Sequence, residues 1–375
     1  MLEHIHLRNF KAARNIGVRV APLTVLAGLN GSGKSTILQS LSVLRQSYNG
    51  TKATGLCLGG SLVQLGQGGD VRSEAAEDDV IAIILKESGL EYRWGCKCLA
   101  DANQLSFDEQ PDSVPALISS THFQYLQADR IIPHTLYPQA SQQARDHGFL
   151  GAHGEYTADF LALNEDVEVA QQRRYNRDQR SPDATLLAKV VPTAKLLDQV
   201  AGWLQELSPG ARLRAVRVKG TDEVILQFNY VGRARGMETG AYRPTNVGFG
   251  LTYSLPIIVA CLAAPRGALL LIENPEAHLH PQGQAALGEL LAFCAADGVQ
   301  IIVETHSDHV LNGIRLSVKR KYIVPDKVQL QYFTRDVTTG DCSVESPAIL
   351  PDGQLSNWPT GFFDQWERSL DALLE

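Results

Sequence analysis

The chain of 375 residues is 44% hydrophobic and 20% charged, an ordinary globular balance that excludes a mostly disordered polypeptide. Its net charge of −7 excludes a uniformly basic surface for nucleic acid and leaves room only for a local basic patch. The six cysteines (Cys57, Cys96, Cys98, Cys261, Cys294 and Cys342) form no C-x-x-C pair, and no basic flank leads into an apolar run at the N-terminus. They read as reduced thiols of a cytoplasmic protein without a signal peptide.

In chain order, Ile5 and Leu7 alternate with polar neighbours and predict an edge strand before Asn9-Phe10-Lys11. Leu23 to Ala27 is a short apolar strand. A glycine-rich turn follows, then a helix from Lys34 to about Tyr48 with Ile37, Leu38, Leu41 and Leu44 on one face. Residues 56–70 are glycine-rich and read as loop. Val80–Leu85, Tyr92–Leu99 and Phe123–Leu126 read as strands. The stretch 131–190 is rich in Gln, Arg, Asp and Pro and predicts a mobile surface segment, with a solvated run at Gln171–Arg180.

Beyond it, Leu196–Leu207 has helical spacing, and Leu213–Lys219 and Val224–Phe228 alternate like paired strands. A helix near Leu251–Ala264, a strand at Ala268–Ile272, a helix near Gln282–Cys294, a strand at Val299–Glu304 and a helix at Asp308–Lys319 come next, and Val328–Phe333 is a last strand. The apolar region Ser254–Ile272 holds Pro256, Pro265 and Arg266, too interrupted to span a bilayer, so no membrane partner is expected. Strand–helix alternation at both ends predicts an α/β fold: a mostly parallel sheet, an additional antiparallel β lobe and a helical insertion.

The segment Gly28-Leu29-Asn30-Gly31-Ser32-Gly33-Lys34-Ser35-Thr36 matches G-x-x-x-x-G-K-[ST] between a predicted strand and a predicted helix, the context of a P-loop NTPase. Glycines let backbone N–H groups converge on phosphate oxygens without a Cβ in the way, and the helix N-terminus adds donors and a favourable dipole. Lys34 is suited to bridge the β- and γ-phosphates, Ser35 to ligate Mg²⁺ and Thr36 to reach an α-phosphate oxygen. ATP and Mg²⁺ are therefore the expected cofactors, with Asn30, Gly31, Ser32, Gly33, Lys34, Ser35 and Thr36 around the phosphates. Such a loop needs an acid at a neighbouring strand end. The run ending at Glu273 supplies one, continuing Asn274-Pro275-Glu276-Ala277-His278-Leu279-His280-Pro281; a later apolar strand ends in Val303-Glu304-Thr305-His306-Ser307.

This order of motifs resembles the ABC-type ATPase heads of the RecF and SMC class, and most of all the short AAA-family ATPases related to OLD proteins. The resemblance implies that Glu273 assists Mg²⁺, that Leu279-His280-Pro281 forms a D-loop and that His306 is a switch histidine sensing γ-phosphate. It also implies that Lys11, in Asn9-Phe10-Lys11, lies near the nucleotide. Thr245-Asn246-Val247-Gly248-Phe249-Gly250-Leu251-Thr252 falls where the signature loop lies, so Gly248 and Gly250 are expected to bind γ-phosphate held by the other subunit. Either Gln64 or Gln67 stands for the Q-loop glutamine near Mg²⁺. Trp358-Pro359-Thr360-Gly361-Phe362-Phe363-Asp364 is similar to a tail found in a subset of these ATPases.

Implied domains are residues 1–130 and 241–325 as two halves of the head, 131–240 as an insertion and 326–375 as a tail. The long interval between Lys34 and Glu273 suits RecF-like heads, and no heptad run long enough for an SMC coiled coil is present.

One departure bears on mechanism. Most ABC heads carry a glutamate after the Mg²⁺ acid, and here that residue is Asn274, a neutral amide that positions water without taking its proton. Glu276 and Glu304 are the carboxylates available to substitute; Glu276 as the water-activating group with slow turnover stands beside Glu276 as a loop cap. The resemblance further implies an ATP-sandwiched homodimer that switches a separate protein effector in prokaryotic anti-phage defence or DNA maintenance. A weakly hydrolysing scaffold or sensor and a small-molecule phosphotransferase are the competing functions. His278, His280, His306 and His309 allow a metal site by spacing, although the ATPase reading already uses two of them. The arginines at 173, 174, 177 and 180 read as a solvated face, with nucleic-acid contact as the alternative.

Overall fold

A computed structural model of the chain describes residues 1–48, 52–120, 122–175, 190–231, 239–359, 361, 362 and 373. Strands β1 (Leu2–Phe10) and β2 (Ala13–Arg19) form a hairpin, and β3 (Leu23–Gly28) then enters a second sheet. β4 (Gly55–Cys57), β5 (Val80–Glu87), β6 (Leu90–Lys97) and β7 (Gln104–Glu109) complete an antiparallel lobe in the order β2-β1-β5-β6-β7-β4. The first strand is therefore internal and not an edge: it pairs with β2 on one side and β5 on the other, and Ile5 and Leu7 are fully buried. β2 escapes a sequence reading because Gly17 and the polar pair Arg14-Asn15 break its alternation. The stretch 56–70, expected as loop, contributes strand residues at its start and opens the short helix Gly68–Val71 at its end.

β8 (Phe123–Leu126) joins the second sheet, while β9 (Tyr137–Pro138), β10 (Ala211–Arg217) and β11 (Glu223–Tyr230) make a small antiparallel sheet in the middle segment. β12 (Leu269–Glu273), β13 (Gln300–Glu304), β14 (Val328–Arg335) and β15 (Cys342–Glu345) finish the central sheet, ordered β15-β14-β3-β13-β12-β8. All its neighbours run parallel except β15. Leu269 to Ile272 are buried without alternation because both faces of this sheet are covered. The helices Lys34–Ser47, Phe249–Ala263, Pro281–Ala296 and Asp308–Lys319 carry the chain between its strands. Residues 328–335, assigned by sequence to the tail, are a strand of this sheet beside β3. Phe362 of the tail is buried against Tyr332, and Arg315 lies over the Trp358 ring.

The middle segment is more buried than its polar composition suggests. Asp159 is fully buried, and ion pairs reach it from Arg145 at 3.2 Å and Arg217 at 3.1 Å. Arg173 is buried too, not on a solvated face: its Nε meets Asp297 at 2.8 Å and its Nη1 donates to the Cys261 carbonyl at 3.1 Å. Arg266 reaches the other Asp297 oxygen at 2.6 Å. Arg177 and Arg180 lie outside the described residues. No helix among the described residues is long and apolar enough to cross a membrane.

Removing Asp297 leaves the buried Arg173 charge without a counterion. Asp297→Ala is expected to cost about 3–5 kcal/mol of folding free energy, read as a lower midpoint in urea unfolding. An unchanged midpoint contradicts a structural role for the pair.

Candidate functional site

The chemistry gathers at the carboxyl edge of the central sheet, where β3, β13 and β12 lie side by side. β3 ends at Gly28, whose φ of 142° suits glycine, and a Cβ there would stand 2.3 Å from the Phe333 carbonyl oxygen on β14. Gly33 caps the following helix with φ 99°. Between them Asn30 and Gly31 are exposed, while Ser32 is buried with a hydroxyl that has no partner among the described atoms. The first turn of the helix holds no acidic residue, so its N-terminal dipole is left uncompensated.

Lys34 is buried, and its Nζ donates to the carbonyls of Gly28 at 3.0 Å and Leu29 at 2.7 Å. Burial lowers its pKa, and the charges of Glu304 and Glu276 oppose that. Thr36 is buried one residue beyond Ser35.

Three carboxylates and one amide flank this loop. Glu273 accepts from the Tyr125 hydroxyl at 2.5 Å and from the Ala128 N–H at 2.9 Å. Asn274 has φ 42°, donates its N–H to the Glu304 carbonyl at 2.9 Å and keeps a buried Oδ1 without a partner. Glu276 turns to the next strand end, where its Oε2 accepts from the Thr305 hydroxyl and its Oε1 from the His306 N–H, both at 2.7 Å. Glu304 is 6% exposed, with Oε1 3.8 Å from Lys34 Nζ and Oε2 buried without a partner. Burial raises the Glu304 pKa to about 7; the nearby Ser35 hydroxyl pulls the other way, and the charge of Glu273 adds to the rise. The His306 ring is exposed, and partial burial together with the charge of Lys34 lowers its pKa, with Glu276 and the Gly28 backbone opposing.

Sequence reasoning gave Arg130 no role. It is 3% exposed and donates to the carbonyls of Gln127 at 2.8 Å, Glu273 at 2.5 Å, Asn274 at 2.6 Å and Tyr253 at 3.3 Å. The guanidinium also lies 4.2 Å from the centre of the Tyr253 ring. Burial pulls its pKa down to about 10, so it stays charged at neutral pH. Arg130 thus fastens the end of β12 to the helix Phe249–Ala263. The only sequence signal is an isolated Asp-Arg just past a strand, which no periodicity marks.

Residues 1–93 match the family model "AAA ATPase domain". Residues 158–312 match an "AAA domain" model whose description names the AbiEii toxin and Type IV TA system. Residues 323–373 match "Protein of unknown function (DUF3696)". The chain is similar to a solved Smc head bound to the C-winged helix domain of ScpA, at 14% identity over 93% of this chain and 98% of that one, with a TM-score of 0.51. The SMC head domain from Thermotoga maritima is 13% identical over 92% and 98% of the two chains, TM-score 0.40. An Smc head with an extended coiled coil, bound to the C-terminal domain of ScpA and derived from Pyrococcus furiosus, is 12% identical over 100% and 99%, TM-score 0.47. No curated protein matches the chain. Two AAA-domain models thus match separate stretches of the chain, and its fold is similar to that of an Smc head.

In this AAA- and SMC-like fold the remaining expected site residues separate into two groups. Lys11, at φ 52°, points its Nζ to Gln39 Oε1 of the phosphate-loop helix at 2.6 Å; burial lowers its pKa while the charge of Glu273 opposes. Gln67 is exposed, its N–H held by Asp70 at 2.8 Å at the entry to the short helix, and Gln64 is exposed as well. The glutamine that meets a basic residue of the site is therefore Gln39. Of the clustered histidines, His278 packs between Phe249 and Tyr253 and His280 caps the helix Pro281–Ala296. His309 faces Asp308 at 3.7 Å. No group of three metal-ligating side chains occurs among the described residues.

Gly248 is exposed with open space around its Cα, at the N-terminus of Phe249–Ala263. Gly250 instead presses on the turn after β12: a Cβ there would stand 2.6 Å from the His278 carbonyl oxygen and 2.9 Å from Leu279 Cδ2. Gly250→Ala is therefore expected to destabilise by about 1–3 kcal/mol in urea unfolding, whereas Gly248→Ala leaves stability within about 0.5 kcal/mol of wild type. Equal effects of the two substitutions contradict this division.

Proposed function

We propose that this head binds ATP with Mg²⁺, hydrolyses it slowly and closes into a homodimer around two nucleotides, so switching a separate protein effector. The observation that carries the reading is the buried Lys34 under a glycine loop, 3.8 Å from Glu304, which lies in register with Glu273 on the adjoining strand. A buried ammonium resting on two carbonyls is a cation held ready for a better anion. The residues present fit a triphosphate with its divalent ion: the positive-φ glycines leave room for phosphate oxygens, and the buried hydroxyl of Ser32 and carboxylate oxygen of Glu304 have no partner.

The backbone N–H groups from Asn30 to Thr36 would cradle the β- and γ-phosphates, with Lys34 moving from the loop carbonyls to their oxygens. Ser35 and Glu273 would hold Mg²⁺, which when bound neutralises charge on the leaving phosphate. Each Glu273 oxygen has lone pairs beyond its bonds to Tyr125 and Ala128. His306, tied to Glu276 through its own N–H, would meet the γ-phosphate from the adjoining loop. The exposed helix N-terminus at Gly248 supports a γ-phosphate contact to a second copy, with Gly250 letting that turn pack on the loop after β12.

A cytoplasmic role in anti-phage defence or DNA maintenance rests on the family resemblance, to which the toxin–antitoxin description of one matching model adds support. An Smc head with ScpA bound is a precedent for a separate protein partner. Asn274 favours a second reading, a nucleotide-dependent scaffold or sensor that barely turns over. Nucleic-acid contact at the Arg-rich run loses Arg173, which is buried.

Lys34→Ala is expected to weaken ATP binding about 10- to 100-fold, the loss of one or two charge-assisted hydrogen bonds, and to abolish ATP-dependent dimerisation. Titration calorimetry and sizing with and without ATP measure both. A wild-type chain that ignores ATP in calorimetry overturns the proposal, and one that binds ATP yet stays monomeric overturns the dimer.

A further inference from the structure

Building on the ATPase reading, hydrolysis requires a water held in line with the γ-phosphate. The residue after Glu273 is where the resemblance places the group that does so, and Asn274 offers only a neutral amide. The choice among the neighbouring carboxylates follows from what each already binds. Glu273 has both oxygens engaged by Tyr125 and Ala128. Glu276 accepts one bond on each oxygen, from the Thr305 hydroxyl and the His306 N–H, and so braces the Thr305–His306 loop, whereas an unpartnered oxygen occurs at Glu304.

Glu304 differs in position and in valence. It ends β13, the strand lying directly between β3 and β12, and is in register with Glu273. One oxygen faces Lys34 at 3.8 Å, and the other is buried without a hydrogen-bond partner. Its main chain accepts from the Asn274 N–H at 2.9 Å, so the two residues share the same corner of the site. A buried carboxylate oxygen left unpaired costs stability, and its retention beside a phosphate loop points to a ligand.

We propose that Glu304 is the catalytic carboxylate that holds and activates the attacking water, acting from the neighbouring strand in place of a glutamate at 274. The water donates a hydrogen bond to Glu304 Oε2 while the Asn274 amide orients it. As the water oxygen bonds to γ-phosphorus, Glu304 takes one water proton. The bond from phosphorus to the bridging oxygen breaks, its electron pair leaves with ADP, and the proton passes on to the released phosphate.

The test uses the full chain with three variants: Glu304→Gln, Asn274→Glu and the double variant. Binding of a non-hydrolysable ATP analogue is read by calorimetry, and ATP against ADP retained on the protein after desalting is read by chromatography, beside steady-state turnover. Glu304→Gln is expected to bind the analogue within about threefold of wild type, to retain ATP where wild type retains ADP, and to lose about 100-fold or more in turnover. Adding Asn274→Glu to it is expected to restore at least tenfold of that loss, which a variant that merely folds badly cannot do.

Turnover of Glu304→Gln within threefold of wild type overturns the proposal. So does loss of analogue binding in step with turnover, which would make Glu304 a counterion of Lys34, and so does a double variant no faster than the single. A wild-type chain that binds neither ATP nor the analogue overturns the ATPase reading itself, an outcome distinct from any failure confined to Glu304.

Discussion

A buried lysine at the edge of a parallel sheet is the constraint from which this architecture follows. Lys34 cannot stay charged inside protein without partners, and the chain supplies two loop carbonyls and the Glu304 carboxylate. Each partner imposes a condition on the fold. The carbonyls require the left-handed turns at Gly31 and Gly33. The carboxylate requires β13 to run parallel beside β3 and end level with the loop. A sheet of any other strand order would leave the ammonium and the acid in separate places.

Around that centre lies a second layer of groups that act on the backbone. Arg130 spends its donors on carbonyls of β12's end, of the loop after β8 and of the helix Phe249–Ala263. Glu276 spends both oxygens on the loop after β13. Together they tie three strand ends and one helix start into a connected unit.

Legibility varied with how local each signal was. The phosphate loop, the helix after it and the run ending at Glu273 were readable because their chemistry lies within a few consecutive residues. Arg173 was misread for the opposite reason: a Gln- and Arg-rich run looks solvated, and only Asp297, far along the chain, explains its burial. β1 was taken for an edge strand because its partner β2 carries a broken pattern. Arg130 sits in a stretch, Tyr125 to Arg130, that resembles the family only loosely, and its role is not legible there because its partners are carbonyls, which every residue possesses.

By itself the sequence determined that a phosphate-binding turn opens a helix, that a parallel sheet supports it and that acidic strand ends face it, since these depend on periodicity and on glycine's conformational freedom. It offers Glu276 and Glu304 as acids at or just past a strand end and puts Glu276 forward as the water-activating group. Only the tertiary structure places β13 between β3 and β12 and gives both Glu276 oxygens partners in Thr305 and His306, the contacts from which the proposal for Glu304 is argued. Which carboxylate keeps a free oxygen depends on contacts across the sheet, and side-chain pairing between strands leaves no trace in local spacing.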